Sequence, residues 1–305
     1  MSMPADRDSS PRTWGDVGRD YLVLTKPWIM LLLLITTVPA MVLADRGWPG
    51  WSIVIATLIG GVLASGGAGA VNMYIDRDID GLMVRTRKRP IPRGTVSPRA
   101  AAIFGWVLGL ASGPWLYLTV NALTAILALT AFFFYIGPYS LYLKRRTVHN
   151  TVLGGVAGAI PPLIGWVAIT NRIDIEGVLL FAIVFWWQPP HFWALALDLE
   201  EDYRVANIPM MPVVLGEHET KRQTVFYAVM TLMVTLIFGA VARLGAIYFG
   251  FALVGGAGFI WCAWRIYRGQ GTEGTRTMFR YSTLYLAALF ASMVLDGTVL
   301  GWPVV

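Results

Sequence analysis

Residues 60–94 read GGVLASGGAGAVNMYIDRDIDGLMVRTRKRPIPRG. An apolar, glycine-rich run ends abruptly in acids, and the acids give way to bases. Four residues along an α-helix turn through about 400°, so a row at that spacing drifts by only about 40° per step. Gly60, Ala64, Ala68, Asn72, Asp76 and Asp80 therefore share one helix face. The upper part of this stripe is small, which lets another helix or a flat ligand approach the backbone. Its lower part carries an amide and two carboxylates, about 6 Å apart per step. Asp78 points away from that line while helical geometry persists.

Two carboxylates so placed, Asp76 and Asp80, suit a hard divalent cation. Mg²⁺ is usually held by one or two carboxylates, with substrate phosphates completing its shell. Around and after the acids come Arg77, Arg85, Arg87, Lys88, Arg89 and Arg93. Guanidinium and ammonium groups neutralise phosphate oxygens, so acids beside a basic loop match a metal-bridged diphosphate. The plainer alternative is solvated loop acids beside bases that only set topology. The alignment of Asn72 with Asp76 and Asp80 favours the site.

The chain around this stretch has 305 residues, 56% hydrophobic and 14% charged. Soluble domains carry about 25% charged residues, so this composition excludes a water-facing globule. Aromatic content, the absence of a glycine triplet and the single Cys262 exclude disorder, collagen and a disulfide scaffold. Nine apolar runs remain, at 28–44, 51–75, 100–118, 122–143, 151–169, 175–197, 224–242, 246–266 and 281–300. In lipid every backbone group needs an internal partner, so these runs are helices; they lack the alternation of a β-barrel. The expectation is an all-α polytopic membrane protein of nine transmembrane helices. Residues 1–20 read as a polar cytoplasmic tail without a signal-peptide core, and residues 21–305 as a single intramembrane domain.

Placing the N-terminus in the cytoplasm puts 21 of the 24 Lys and Arg residues inside; only Arg46, Arg172 and Arg243 fall outside. That asymmetry sets the orientation. Net charge is +6, but the bases lie in clusters between apolar runs rather than in a basic arm, so no nucleic-acid partner is expected.

A second acidic stretch, residues 185–214, reads FWWQPPHFWALALDLEEDYRVANIPMMPVV. Asp198 and Asp202 are four apart, with Glu201 between them, at the same membrane depth as the first pair. Two pairs facing each other could hold two metal ions around one diphosphate, stabilising charge on a leaving oxygen. The two acidic loops start 122 residues apart, a spacing that suits a weak internal repeat or two unrelated loops. Pro189 and Pro190 are expected to break the helix. His191 then looks into a cavity above Asp198, about 10 Å along the same face. Intramembrane polar groups are functional by default and imidazole ligates haem iron. Equally, His191 could be a packing residue, with Trp187 and Trp193 ordinary core or lipid-facing aromatics.

Residues 135–166, YIGPYSLYLKRRTVHNTVLGGVAGAIPPLIGW, bring Lys144, Arg145 and Arg146 to the level of the acids, where they could cap a diphosphate. Gly154, Gly155, Gly158 and Ala159 read as close helix contacts, and Pro161–Pro162 as a kink. His149 and His218 read as solvated, and Asp296 as snorkelling to the outer interface.

Taken together, LTKP at 24–27, NMYIDRDID with RTRKRPIPRG, YSLYLKRRT with GGVAGAIPPLIGW, and WWQPPHFWALAL with DYRVANIPMMPVV resemble the haem O synthase (protohaem IX farnesyltransferase) branch of the intramembrane UbiA prenyltransferase superfamily. The resemblance covers nearly the whole chain. It implies nine helices around a central cavity in the cell inner membrane, with an Mg²⁺-dependent active site facing the cytoplasm. It implies farnesyl diphosphate as donor and haem B as acceptor, giving haem O, and as further partners haem A synthase or oxidase assembly factors. Asn72, Asp76, Asp80 and Asp202 match its acidic motifs as catalytic residues, with Asp76, Asp80, Asp198 and Asp202 as metal ligands. Arg77, Arg85, Arg87, Lys88, Arg89, Arg93, Lys144 and Arg145 would bind diphosphate, and His191, Trp187 and Trp193 haem. Two positions depart: Trp28 stands where the family often has Arg, and Asp198 where this branch is not expected to have an acid. The alternatives are a sister prenyltransferase acting on a quinone precursor or chlorophyllide, and, more distantly, a secondary transporter, which would place its acids nearer the midplane.

Overall fold

Each apolar run forms a helix, and where a turn residue or cap intervenes the helix stops. The computed structural model describes residues 13–302. Residues 1–12, most of the expected polar tail, lie outside that range. The tail's last part is α1, Trp14–Leu24, opened by a capping box between Thr13 and Asp16. Then come α2 (Pro27–Asp45), α3 (Trp51–Ile75), α4 (Arg77–Asp80), α5 (Pro98–Thr119) and α6 (Ala122–Phe134). A π-helical stretch, Tyr135–Leu143, and α7 (Lys144–Arg146) extend α6. They are followed by α8 (Asn150–Thr170), α9 (Ile175–Asp198), α10 (Glu200–Val205), α11 (Met211–Val241), α12 (Ala246–Arg268) and α13 (Thr275–Leu300).

Among the described residues, eight helices are long and apolar enough to cross a membrane. The helix at the first expected span, α2, has a shorter apolar part, Leu33–Asp45. Neighbours in the bundle follow chain order from α3 through α5, α6, α8, α9, α11, α12 and α13, and α2 closes the circuit between α13 and α3. α2 also packs directly on α8, where a methyl at Gly165 would lie 2.4 Å from the Thr37 carbonyl oxygen.

Two expectations about helix ends need correction. α9 runs unbroken through Pro189 and Pro190. The freed carbonyls do not end it, because tertiary packing of an intramembrane helix outweighs two lost backbone bonds. α8 likewise continues through Pro161 and Pro162. Asp296 does not snorkel. It is 3% exposed and accepts from the main-chain N–H groups of Gly245 and Tyr248, capping the first turn of α12 from a neighbouring helix.

The glycines expected at close contacts are there. A Cβ at Gly154 would enter the Tyr139 ring at 2.2 Å, and one at Gly158 would meet the Gln188 amide at 2.5 Å. Another close backbone crossing joins α3 and α5, where a Cβ at Gly67 would lie 2.5 Å from Gly109 N.

Candidate active site

The stripe on α3 is buried along its length: Gly60, Ala64, Ala68, Asn72, Asp76 and Asp80 all lie inside. α3 stops at Ile75, yet the helical hydrogen bonds continue through Asp76, from its N–H to Asn72 O (2.9 Å) and from Asp80 N–H to Asp76 O (2.8 Å). That continuity keeps the amide and both carboxylates on one side. Asp78 points outward, as expected, and is held by two bonds of 2.7 Å from Arg145. Those bonds keep the Asp78 carboxyl below its ordinary value.

Asp76 is fully buried. Its Oδ2 accepts from Asn72 Nδ2 (2.9 Å) and Lys144 Nζ (2.5 Å), and Arg145 approaches Oδ1 at 3.8 Å. Oδ1 itself has no hydrogen-bond donor. Asp80, equally buried, receives Arg89 on both oxygens at 2.8 Å. Each buried carboxylate thus has a base of its own, since a bare buried charge costs several kcal/mol.

Two members of this network carried no signal in the sequence beyond their type. Lys26, just ahead of α2, donates to Asn72 Oδ1 at 2.6 Å. Burial, and next the charge of Arg89, lower its ammonium to about 7. Ser140 accepts from the Asn72 amide at 3.0 Å and donates to Tyr135 O at 2.7 Å, five residues back, the reach of a π-turn. The π-helical stretch so places Ser140 and Lys144 against the acids. Only the Gly137-Pro138 pair hints at it in the sequence. Trp28, at the family's variable position, is largely exposed.

The second acidic stretch meets the first loop. Asp202 accepts from the main-chain N–H groups of Val84 (3.1 Å) and Arg85 (3.3 Å). Asp198 is tied to α13 through Thr275 Oγ1 (2.5 Å) and Arg276 Nε (3.2 Å). Asp198, Glu201 and Asp202 line one open pocket with Val84, Arg85 and Leu199. The two acidic stretches also share a form: a long helix, a one-residue break at Asp76 or Leu199, then a short helix. The four carboxylates do not converge as they stand. Among the described residues no three acid, His or Cys side chains form a metal-holding group, because each acid is engaged by its own partner.

Of the expected diphosphate bases, Arg89, Lys144 and Arg145 reach the first acids and Arg85 lines the second pocket. Arg77 turns back on its own helix, donating to Tyr74 O at 2.7 Å with its guanidinium 4.4 Å from the Tyr74 ring. Arg87, Lys88 and Arg93 are exposed.

His191 is buried between Trp187 and Phe279, both rings stacked on it with centroids 4.4 Å away, and its Nδ1 lies 2.7 Å from Ser282 Oγ. Trp187 donates to Ser282 O at 2.9 Å. Trp193 is fully buried on another face of α9, edge-on to Tyr227, and its Nε1 has no acceptor. Trp187 and His191 therefore form one aromatic stack against α13, and Trp193 stands apart from it. His149 and His218 are exposed.

The fold and site define a polytopic helical membrane protein with a buried acid–base cluster at one end of the bundle. The chain belongs to the UbiA prenyltransferase family, whose profile matches residues 33–296. Curated relatives carry the name of the branch it resembles. It is 45% identical over 292 residues to the protoheme IX farnesyltransferase of Chloroflexus aurantiacus, covering 96% of this chain and 50% of that one. The chain thus spans about half the length of that relative. With the protoheme IX farnesyltransferase of Deinococcus radiodurans it shares 45% identity over 308 residues, covering 96% of this chain and 97% of the relative.

Among solved structures, one described as giving insight into digeranylgeranylglyceryl phosphate synthase in membranes aligns with a TM-score of 0.75 at 16% identity, covering 91% of this chain and 97% of that one. A UbiA homologue of Archaeoglobus fulgidus, bound to GPP and Mg²⁺, aligns with a TM-score of 0.62 at 17% identity, covering 90% and 99%. At these identities the likeness is one of fold.

Proposed function

We propose that this protein transfers the farnesyl group of farnesyl diphosphate to a vinyl group of haem B, with addition of water, giving haem O. The observation that carries the reading is Asp76 Oδ1, a buried carboxylate oxygen without a donor, set among Lys26, Arg89, Lys144 and Arg145. A hard, anionic oxygen of this kind fits Mg²⁺. Asp76 and Asp80, with Asp198 and Asp202 across the loop, would hold it. Bound there, Mg²⁺ would neutralise charge on the diphosphate as the allylic C–O bond breaks.

The chain's own groups do the rest. Arg87, Lys88 and Arg93, exposed around the entrance, draw a polyanion inward. Lys144, Arg89 and Arg145 exchange carboxylate partners for diphosphate oxygens, and with Arg85 from the second pocket they stabilise the leaving group. Asn72, fixed between Lys26 and Ser140, keeps the Asp76 carboxylate oriented. Apolar walls hold the prenyl chain and keep water from its allylic carbon. That carbon bonds to the terminal vinyl carbon of haem through the vinyl π electrons. Water then adds at the inner carbon and releases a proton, leaving a hydroxyethylfarnesyl arm.

His191 and Trp187, with Trp193 on another face of α9, are assigned to the haem side, where their rings would meet passing positive charge. The excess of bases at the acidic end supports a cytoplasmic active site, in a multi-pass protein of the cell inner membrane. Haem A synthase or oxidase assembly factors are its expected neighbours.

The test is a mass spectrum of haem after incubation of the purified protein with haem B, farnesyl diphosphate and Mg²⁺. A gain equal to a farnesyl group plus a hydroxyl supports the reading. Prenylation of 4-hydroxybenzoate in its place would assign the chain to the quinone branch.

A further inference from the structure

We infer that the α12–α13 turn carries a binding site for an anionic phospholipid, separate from the acid–base cluster. A pocket opens there between the last turn of α12 and the loop into α13, walled by Trp261, Trp264, Arg265 and Arg268. Gly269, Glu273 and Gly274 form its other side. Gly269 and Gly274 leave room on either side of Glu273, and Gly274 has φ +85°, which suits glycine.

The walls are arranged along one face of α12. Val254, Trp261 and Arg268 stand seven residues apart, and Arg265 is one turn from both Trp261 and Arg268. Seven residues span about 10 Å of helix. Val254 is 76% exposed, Trp261 62% and Trp264 43%. In a membrane this face meets lipid, with apolar surface above, two indoles at the interface and two guanidiniums at the headgroup level. Trp at that depth is an interfacial anchor, but anchoring does not require a pocket or two arginines turned into it.

The charges select the occupant. Among the described residues no carboxylate lies within ion-pairing distance of Arg265 or Arg268. Arg89, Lys144 and Arg145 of the proposed active site, by contrast, are engaged with acids. Two unengaged guanidiniums present a forked donor array that fits a phosphodiester. Glu273 opposes them, so the pocket keeps a net positive charge and favours an anionic headgroup over a zwitterionic one. The indole faces and Val254 give the first acyl chain its track.

The full-length protein, purified in detergent, is incubated with phosphatidylglycerol or phosphatidylcholine of identical chains, and retained lipids are counted by native mass spectrometry. One phosphatidylglycerol is expected to be retained in preference to phosphatidylcholine by roughly tenfold or more, as two interfacial basic groups imply. The double variant Arg265→Gln/Arg268→Gln should lose that preference. Glu273→Gln should raise retention, an opposite change that a folding defect would not produce. Unchanged selectivity in the double variant, or lower retention in Glu273→Gln, overturns the site. So does inorganic phosphate bound without lipid and displacing phosphatidylglycerol, which would mark a free-anion pocket.

Discussion

Lys144 Nζ lies 2.5 Å from Asp76 Oδ2, while the other oxygen of that buried carboxylate has no donor. The pair is poised to exchange partners: a cation for the free oxygen, and a phosphate oxygen for the lysine. Asp76→Asn removes the charge but keeps the shape. Farnesyl transfer should fall by about a hundredfold or more, and the variant should elute and melt as a folded protein, since Lys144 is partly exposed and can rehydrate. Measurable turnover near the parent value in purified Asp76→Asn would remove Asp76 from the mechanism.

Lys144→Gln tests the other half of the relationship. If the ammonium transfers to diphosphate, its loss raises KM for farnesyl diphosphate and lowers kcat, and Lys144→Arg restores part of both. A lysine that only balanced Asp76 would change stability and leave KM where it was. Steady-state kinetics at saturating Mg²⁺ separate the two.

Asp202 joins the loops by accepting from Val84 and Arg85 main-chain N–H groups. Asp202→Asn retains an acceptor oxygen for one of them, so the bundle should persist while transfer is lost. Chelation with EDTA should likewise stop turnover in the parent protein, and added Mg²⁺ should restore it. Activity that survives both treatments would exclude the metal role.

Legibility divides along the chain by the range of the interaction. The α3 stripe was readable because period and side-chain type are local: Asn72, Asp76 and Asp80 are buried in line and Asp78 points out. The glycine contacts on α8 were readable for the same reason. Pairings were not. That Lys26 meets Asn72 across 46 residues, or that Ser140 meets it across 68, depends on how helices pack, which no window of sequence holds. Pro189–Pro190 does not break α9, because helix packing, which local propensity does not contain, outweighs two lost backbone bonds. Asp296 is a second case: nearness to a helix end suggests solvent, and the cap it provides belongs to a different helix.

His191 distinguishes a haem contact from a packing residue. It is stacked between Trp187 and Phe279 and bonded to Ser282. His191→Ala should weaken haem binding in a spectral titration while diphosphate affinity is kept. Ser282→Ala, which leaves the imidazole but frees its Nδ1, should shift the haem spectrum or affinity by a smaller amount in the same direction. Equal haem affinity in parent and His191→Ala, with only a lower unfolding temperature, would return His191 to the packing of α9 on α13.

Asp296 makes a prediction about stability alone. Its carboxylate serves the N-terminus of α12, where unpaired N–H groups and the helix dipole favour an anion. Asp296 itself is only 3% exposed, so solvent does not readily take the place of the carboxylate when it is removed. Asp296→Ala should cost about 1–3 kcal/mol, seen as a lower unfolding temperature in detergent. Asp296→Asn, still an acceptor but uncharged, should lose about half as much. The acid–base cluster lies at the opposite end of α13, so turnover per folded molecule should not change in either variant. A loss of kcat without a loss of stability would mean that the cap supports the site through α13, and that the two ends of the bundle are coupled.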